Sequence, residues 1–77
     1  MTRRAKILEI VKTVAKKQVA PELDESLFDS GLLDSFALPD LVSALEAEYQ
    51  ITVPDSDLNP RKFDTIERID AYIEGKR

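Results

Sequence analysis

The residue of this sequence best placed to do chemistry is a serine between an aspartate and a phenylalanine. It is Ser35 of Asp34-Ser35-Phe36, in the stretch LFDSGLLDSFALPDLV from Leu27 to Val42. A serine that attacks a substrate unaided needs a base to take its proton, usually a histidine backed by a carboxylate. The chain has no His, and GLLDSF lacks the glycine spacing of a nucleophile elbow. It has no Cys either, which removes disulfides, zinc–thiolate sites and a cysteine nucleophile. Asp55-x-Asp57 is too short to hold a metal, and there is no glycine-rich phosphate loop. Two roles remain for Ser35. Its hydroxyl can cap a helix by accepting a bond from an early backbone N–H, or it can receive a group delivered by another protein.

The elements that must position this serine are helical. Ile7, Leu8, Val11, Val14, Ala15 and Val19 recur at helical spacing, with Lys6, Glu9, Lys12, Thr13, Lys16 and Lys17 opposite. This predicts an amphipathic helix from Lys6 to Val19, stopped by Pro21. Residues 20–34 then form a loop longer than most helix–helix connections. Leu23, Leu27, Phe28, Leu32 and Leu33 are expected to pin it to the core, and Gly31 to supply a positive φ. A second helix is expected from Phe36 to Gln50, capped by Ser35, with Leu38, Leu41, Val42, Leu45 and Tyr49 inward. Pro39 crowds the carbonyl four residues back and cannot donate, so the first turn should be distorted or delayed. ITVP (51–54) reads as extended, and DSDLNPRKF as a short helix interrupted by Pro60. A last helix, from about Ile66 to Glu74, turns Ile66, Ile69 and Ile73 inward. Asp64 or Thr65 should cap it, with Asp64 and Glu67 as a capping box, and Gly75 should end it. The expected fold is all-α: a small four-helix bundle of three main helices and one short helix, with a long loop between helices one and two.

Length and composition agree. Seventy-seven residues, 43% of them apolar and 34% charged, make one domain over residues 1–77. A domain of this size buries about 60% of its unfolded surface, which leaves little room for an enclosed active site. The net charge of −4 is unevenly spread. Residues 1–20 carry six basic residues against one acid, a balance of +5. Residues 21–77 carry five against fourteen, a balance of −9. An acidic body argues against nucleic acid and for proteins with basic docking faces. Glu9 and Lys12 interrupt any apolar run near the N-terminus, so neither a signal peptide nor a membrane span is expected.

LFDSGLLDSFALPDLVSALEAEYQITVP resembles the acyl carrier protein family, whose signature is an Asp-Ser pair opening the second helix. The likeness runs in register from Leu27 to Ile73, with DTIERIDAYIE in the expected place. It implies that a phosphopantetheinyl transferase attaches 4′-phosphopantetheine, taken from coenzyme A, to Ser35, next to Asp34. The prosthetic thiol then carries an acyl or aminoacyl group as a thioester. The other implied partners are an acyl- or aminoacyl-activating ligase or synthase and an acyltransferase. The chain would be a carrier, not an enzyme: a cytoplasmic monomer. Among carriers it resembles stand-alone D-alanyl and aminoacyl carrier proteins most. Fatty-acid carriers usually have Leu where this chain has Phe36, and peptidyl carriers often have Gly-Gly at Leu32-Leu33. It departs from the D-alanyl pattern at Phe63, where Trp is usual, at Pro39, and in its basic first helix.

Projecting the second helix at about 100° per residue puts Phe36, Asp40, Ser43, Ala44 and Ala47 away from the apolar stripe, flanked by Glu46 and Glu48. Acidic residues there would steer basic partners, with Phe36 as the apolar anchor. The partner-docking set is therefore Phe36, Asp40, Ala44, Ala47 and Glu48. The basic face of the first helix reads as a solvated, charge-balancing surface, with contact to an anionic lipid surface as the alternative. A long acyl cargo would need a cleft lined by residues such as Leu41, Val42, Leu45, Ile51 and Ile69; an aminoacyl cargo would not. The competing function is an unmodified, carrier-like module that binds a partner through the same acidic helix.

Overall fold

Thr2 opens the first helix, α1 (Arg3–Ala15): its Oγ1 accepts the Ala5 amide at 3.2 Å, satisfying one of the donors a helix start leaves over. In the computed structural model, which describes residues 2–16, 21–34 and 36–76, two further helices follow, α2 (Leu38–Tyr49) and α3 (Ile66–Lys76). Lys17, Val19 and Ser35, named above, lie outside the described residues. The fold is all-helical, with no strand among the described residues. In place of the expected short fourth helix there are two 3-10 turns, Asp55–Asp57 and Pro60–Phe63. Pro60 does not interrupt a helix; it begins the second turn, where Asn59 Oδ1 caps the Arg61 amide at 2.9 Å.

The first helix ends earlier than its pattern suggested. Lys16 takes a left-handed conformation (φ 58°, ψ 38°) and its amide donates to the Lys12 carbonyl, so α1 stops at Ala15, well before Pro21. The second helix begins later than expected, at Leu38, with Ala37 rather than Ser35 as its N-cap. Asp34 shapes the entrance: the Ala37 amide meets both the Asp34 carbonyl and Asp34 Oδ1 at 3.0 Å. This start also explains Pro39. It falls in the first turn, where a missing N–H leaves no helix bond unmade.

α1 packs against both α2 and α3, and α3 against the second 3-10 turn. The core takes Ile7, Ile10 and Val11 from α1, Leu38, Leu41, Val42 and Leu45 from α2, and Ile66, Ile69 and Ile73 from α3. Phe63 is fully buried and meets the Tyr72 ring at 5.0 Å, tilted by 60°. Leu41, Leu45 and Ile69 are fully buried and Val42 nearly so; with half-buried Ile51, the residues considered for an acyl cleft are core packing.

The loop leading to α2 is fastened to the start of α3. The Leu27 amide donates to the Asp64 carbonyl at 2.6 Å, and the Glu67 amide to the Leu23 carbonyl at 3.1 Å. Ser26 Oγ donates to Asp64 Oδ1 at 2.6 Å. That last bond occupies the Asp64 side chain, so the Asp64–Glu67 capping box does not form; Thr65 Oγ1 caps α3 instead, accepting the Arg68 amide at 3.0 Å. Leu27 and Leu33 are buried, and Phe28 and Leu32 pack at the core edge. Leu23 is exposed rather than in the core, and its backbone carbonyl accepts the bond that holds the loop. Gly31 has the expected positive φ, 84°. Gly75 does not end α3, which continues to Lys76.

Two carboxylates tie the elements of this fold to α3. Asp70 on α3 receives Arg3, and also Arg4 at 3.0 Å, from α1. Asp57 receives Lys62 at 2.7 Å and the Tyr72 hydroxyl at 2.7 Å. The Arg3 bond holds the Asp70 carboxyl below the ordinary 3.8, and the Lys62 bond, then Tyr72, does the same for Asp57. Burial, then the bond to Asp57, pushes the Tyr72 hydroxyl up to about 12. A carboxyl whose folded value is depressed contributes stability above its unfolded value and loses it as pH falls through the folded one. An Asp57→Asn/Asp70→Asn variant should therefore melt below wild type at neutral pH. The gap should close as pH is lowered below 3.8, and differential scanning calorimetry across pH measures it. A gap independent of pH would show that these pairs do not set the acid limit.

Candidate functional site

The residues on either side of position 35 stand at an open surface. Asp34 is exposed, and Phe36 is 87% exposed, an aromatic ring that contributes nothing to the core. Beside them lies a groove of about 370 Å³, lined by Val14, Ala15 and Lys16 from the end of α1, the segment 31–34, and Phe36, Ala37 and Asp40. The early end of α1 thus brings a lysine to the entrance of α2. Sequence reasoning missed this role for Lys16, because a helix running on to Val19 would have left the residue on a solvated face. The local signal is weak, since Lys16 adopts a conformation that glycine more often takes.

The expected docking set divides in two. Phe36, Asp40 and Ala47, with Ser43, are exposed around α2. Ala44 is half-buried and packs toward the core. With Lys6, Glu9, Ile10, Thr13, Val14 and Glu48 it lines a smaller groove of about 190 Å³ along the α1–α2 seam. Glu48 is paired there with Lys6 at 3.5 Å. Glu46 serves the fold, accepting the Val53 amide at 2.8 Å and so holding the extended segment after α2. The basic face of α1 is largely spent on ion pairs: Arg3 and Arg4 with Asp70, Arg3 with Glu74, Lys6 with Glu48, and Lys12 with Glu9. This matches a charge-balancing surface rather than a free cationic one.

No group of three or more potential metal ligands occurs among the described residues. No described helix is long and apolar enough to cross a membrane.

A family model described as "Phosphopantetheine attachment site" matches residues 5–73. The chain is 31% identical over 74 residues to a D-alanyl carrier protein of Lactobacillus acidophilus, covering 96% of this chain and 94% of that one. It is 33% identical over 75 residues to a D-alanyl carrier protein of Streptococcus thermophilus, covering 97% and 91%. To one of Streptococcus suis it is 36% identical over 63 residues, covering 82% and 80%. A small helical domain with exposed flanks at a helix entrance, matched to carriers almost end to end, is a carrier protein and not an enzyme. The chain belongs to the acyl carrier protein family, close to the D-alanyl carrier proteins. Members of this family carry covalently attached 4′-phosphopantetheine.

The surroundings of position 35 fit such a group. The exposed flanks leave room for a partner enzyme to approach from solvent. A phosphodiester introduced there would add a negative charge beside Asp34 and Asp40, and Lys16 on the same groove is a cation with no carboxylate within 4.0 Å among the described residues. The N-terminus of α2 favours negative charge as well.

Proposed function

We propose that this chain is a free-standing aminoacyl carrier, with D-alanine as the favoured cargo, and that Ser35 bears the prosthetic group. The observation that carries the reading is the family match over residues 5–73; the Asp34-Ser35 pair, which resembles the family's Asp-Ser signature, lies within that range. The names of the relatives support the cargo. So does the core: Leu41, Leu45 and Ile69 are packed shut, as suits a small cargo that needs no acyl cleft. Attachment forms a bond from the Ser35 oxygen to the phosphorus of coenzyme A's phosphopantetheine; the hydroxyl proton leaves to the transferase and adenosine 3′,5′-bisphosphate departs. Once bound, the group supplies a thiol that holds an acyl unit as a thioester. Asp34 shapes the loop that presents Ser35, Phe36 and Asp40 meet the partner, and Lys16 offsets the phosphodiester charge. The partners are a phosphopantetheinyl transferase, an ATP-dependent aminoacyl ligase and an acyltransferase, and the use of coenzyme A as donor points to the cytoplasm.

Incubation with coenzyme A and a broad-specificity phosphopantetheinyl transferase should add the mass of one prosthetic group. Fragment mass spectrometry should locate it on the peptide containing Ser35. Loading with candidate ligases should then favour D-alanine over fatty acids. No mass gain would overturn the carrier reading, and preferential loading with a fatty acid would overturn only the cargo.

The docking role of Phe36 has its own test. An aromatic anchor contributes about 2 kcal/mol or more to an interface, so Phe36→Ala should lower kcat/KM for loading about thirtyfold. Its exposure leaves Tm unchanged. Unaltered loading kinetics would move the contact to another face.

A further inference from the structure

The acidic part of this chain gathers its few cations in one place. Of the five basic residues in 21–77, Arg61, Lys62 and Arg68 line a single open groove of about 510 Å³ with Asn59, Ala71 and Tyr72. Lys76 stands nearby, 5.5 Å over the Tyr72 ring. Lys62 is neutralised by Asp57 at 2.7 Å, and Lys76 reaches the same carboxylate at 4.0 Å. Among the described residues, neither Arg61 nor Arg68 has a carboxylate within 4.0 Å, whereas every other Lys and Arg except Lys16 does.

Arg68 is also held against the turn that carries Arg61. Arg68 Nη1 donates to the Arg61 carbonyl at 2.9 Å, and the Arg61 amide is fixed by Asn59 Oδ1 at 2.9 Å. The fold therefore keeps two like charges at one groove without a counter-charge, an arrangement that an incoming anion relieves. A guanidinium offers a planar fork that meets a carboxylate with two parallel bonds. Ala71, small and exposed, also lines the groove.

We infer that the Arg61–Arg68 groove is a second recognition surface, which takes carboxylate side chains from an acidic segment of a partner protein. The surrounding charge selects this occupant over a membrane. Asp24 and Glu67 line the adjoining groove, which shares Arg68 and Ala71, and the chain as a whole carries −4. An extended anionic lipid sheet would meet those carboxylates too and be repelled, whereas a narrow peptide entering the groove meets Arg61, Lys62 and Arg68 with no carboxylate among the lining residues. The chain would then present faces of opposite sign to its partners, acidic around α2 and basic at the second 3-10 turn, which fixes orientation more than raw affinity.

The test is a titration of isotope-labelled protein with a hexaglutamate peptide, with hexaglutamine as the uncharged control, followed by amide NMR shifts. Salt-dependent shifts should centre on Arg61, Lys62, Arg68 and Ala71 with hexaglutamate only. Arg61→Ser/Arg68→Ser should weaken binding at least fivefold. Arg61→Lys/Arg68→Lys, which keeps the charge, should bind between the two, and its spectrum controls for the fold. Shifts centred elsewhere, or no loss in the serine variant, would overturn the inference. So would arginine-dependent binding to phosphatidylglycerol vesicles in preference to the peptide.

Discussion

Ser35→Ala is expected to abolish phosphopantetheinylation completely while leaving the fold intact. An alanine offers no oxygen for the phosphorus to join, so the mass gain should fall to zero, and loading by any ligase with it. The stability half of this prediction comes from the entrance of α2. A serine that capped the helix would cost about 0.5–2 kcal/mol when replaced by alanine. Here the N-cap is Ala37, and the turn before it is closed by Asp34 through both its carbonyl and its carboxylate. The variant should therefore melt within about 2–4 °C of wild type, the shift that ±0.5 kcal/mol produces in a domain of this size. A pull-down and an activity assay on the same variant separate the two functional classes. A carrier loses activity yet still binds its partners, whereas an unmodified interaction module keeps both.

Phe63→Ala is expected to lower the stability of the domain by about 3–5 kcal/mol. Phe63 is the largest fully buried side chain, seated in the second 3-10 turn against α3 and the Tyr72 ring. Truncating a buried Phe to Ala costs about 3–5 kcal/mol. A domain of this size has about 4–12 kcal/mol to lose. The urea midpoint should drop accordingly, with a smaller drop for Phe63→Leu, which leaves less of a cavity. Equal losses for the two variants would mean that ring geometry, not volume, sets the cost.

The three main helices were legible because their inward residues repeat at helical spacing, and Ile66, Ile69 and Ile73 are buried as that spacing requires. The ends were less so. Lys16 stops α1 in a left-handed conformation that no glycine announces, while Pro21, the obvious breaker, stands five positions on. Gly75 resembled a stop, yet nothing forces a helix to break at a solvent-facing glycine. Asp64 looked like half of a capping box because its true partner, Ser26, is 38 residues away in sequence. The docking face suffered from the same locality. Projecting one helix cannot reveal which flank a neighbour approaches: Ala44 is half-buried toward α1, while Glu48, though exposed, pairs with Lys6 of α1. Arg61 and Arg68 drew no notice in the sequence, because their pairing depends on a turn that folds the chain back onto α3.

The clasp between the loop and α3 also couples distant parts of the chain. Leu23, Ser26 and Leu27 find their partners at Asp64 and Glu67 only after a large chain segment has closed, and closing such a segment costs entropy that the contacts must offset. Docking α1 on α3 closes a longer one, with Arg3 and Asp70 standing 67 positions apart, so once those helices are paired the loop closes at little further cost. Weakening the clasp, as in Ser26→Ala, should loosen residues 21–34 without releasing the helices, and amide hydrogen exchange reads the difference. The segment before position 35 is thus braced by a closure made elsewhere in the chain.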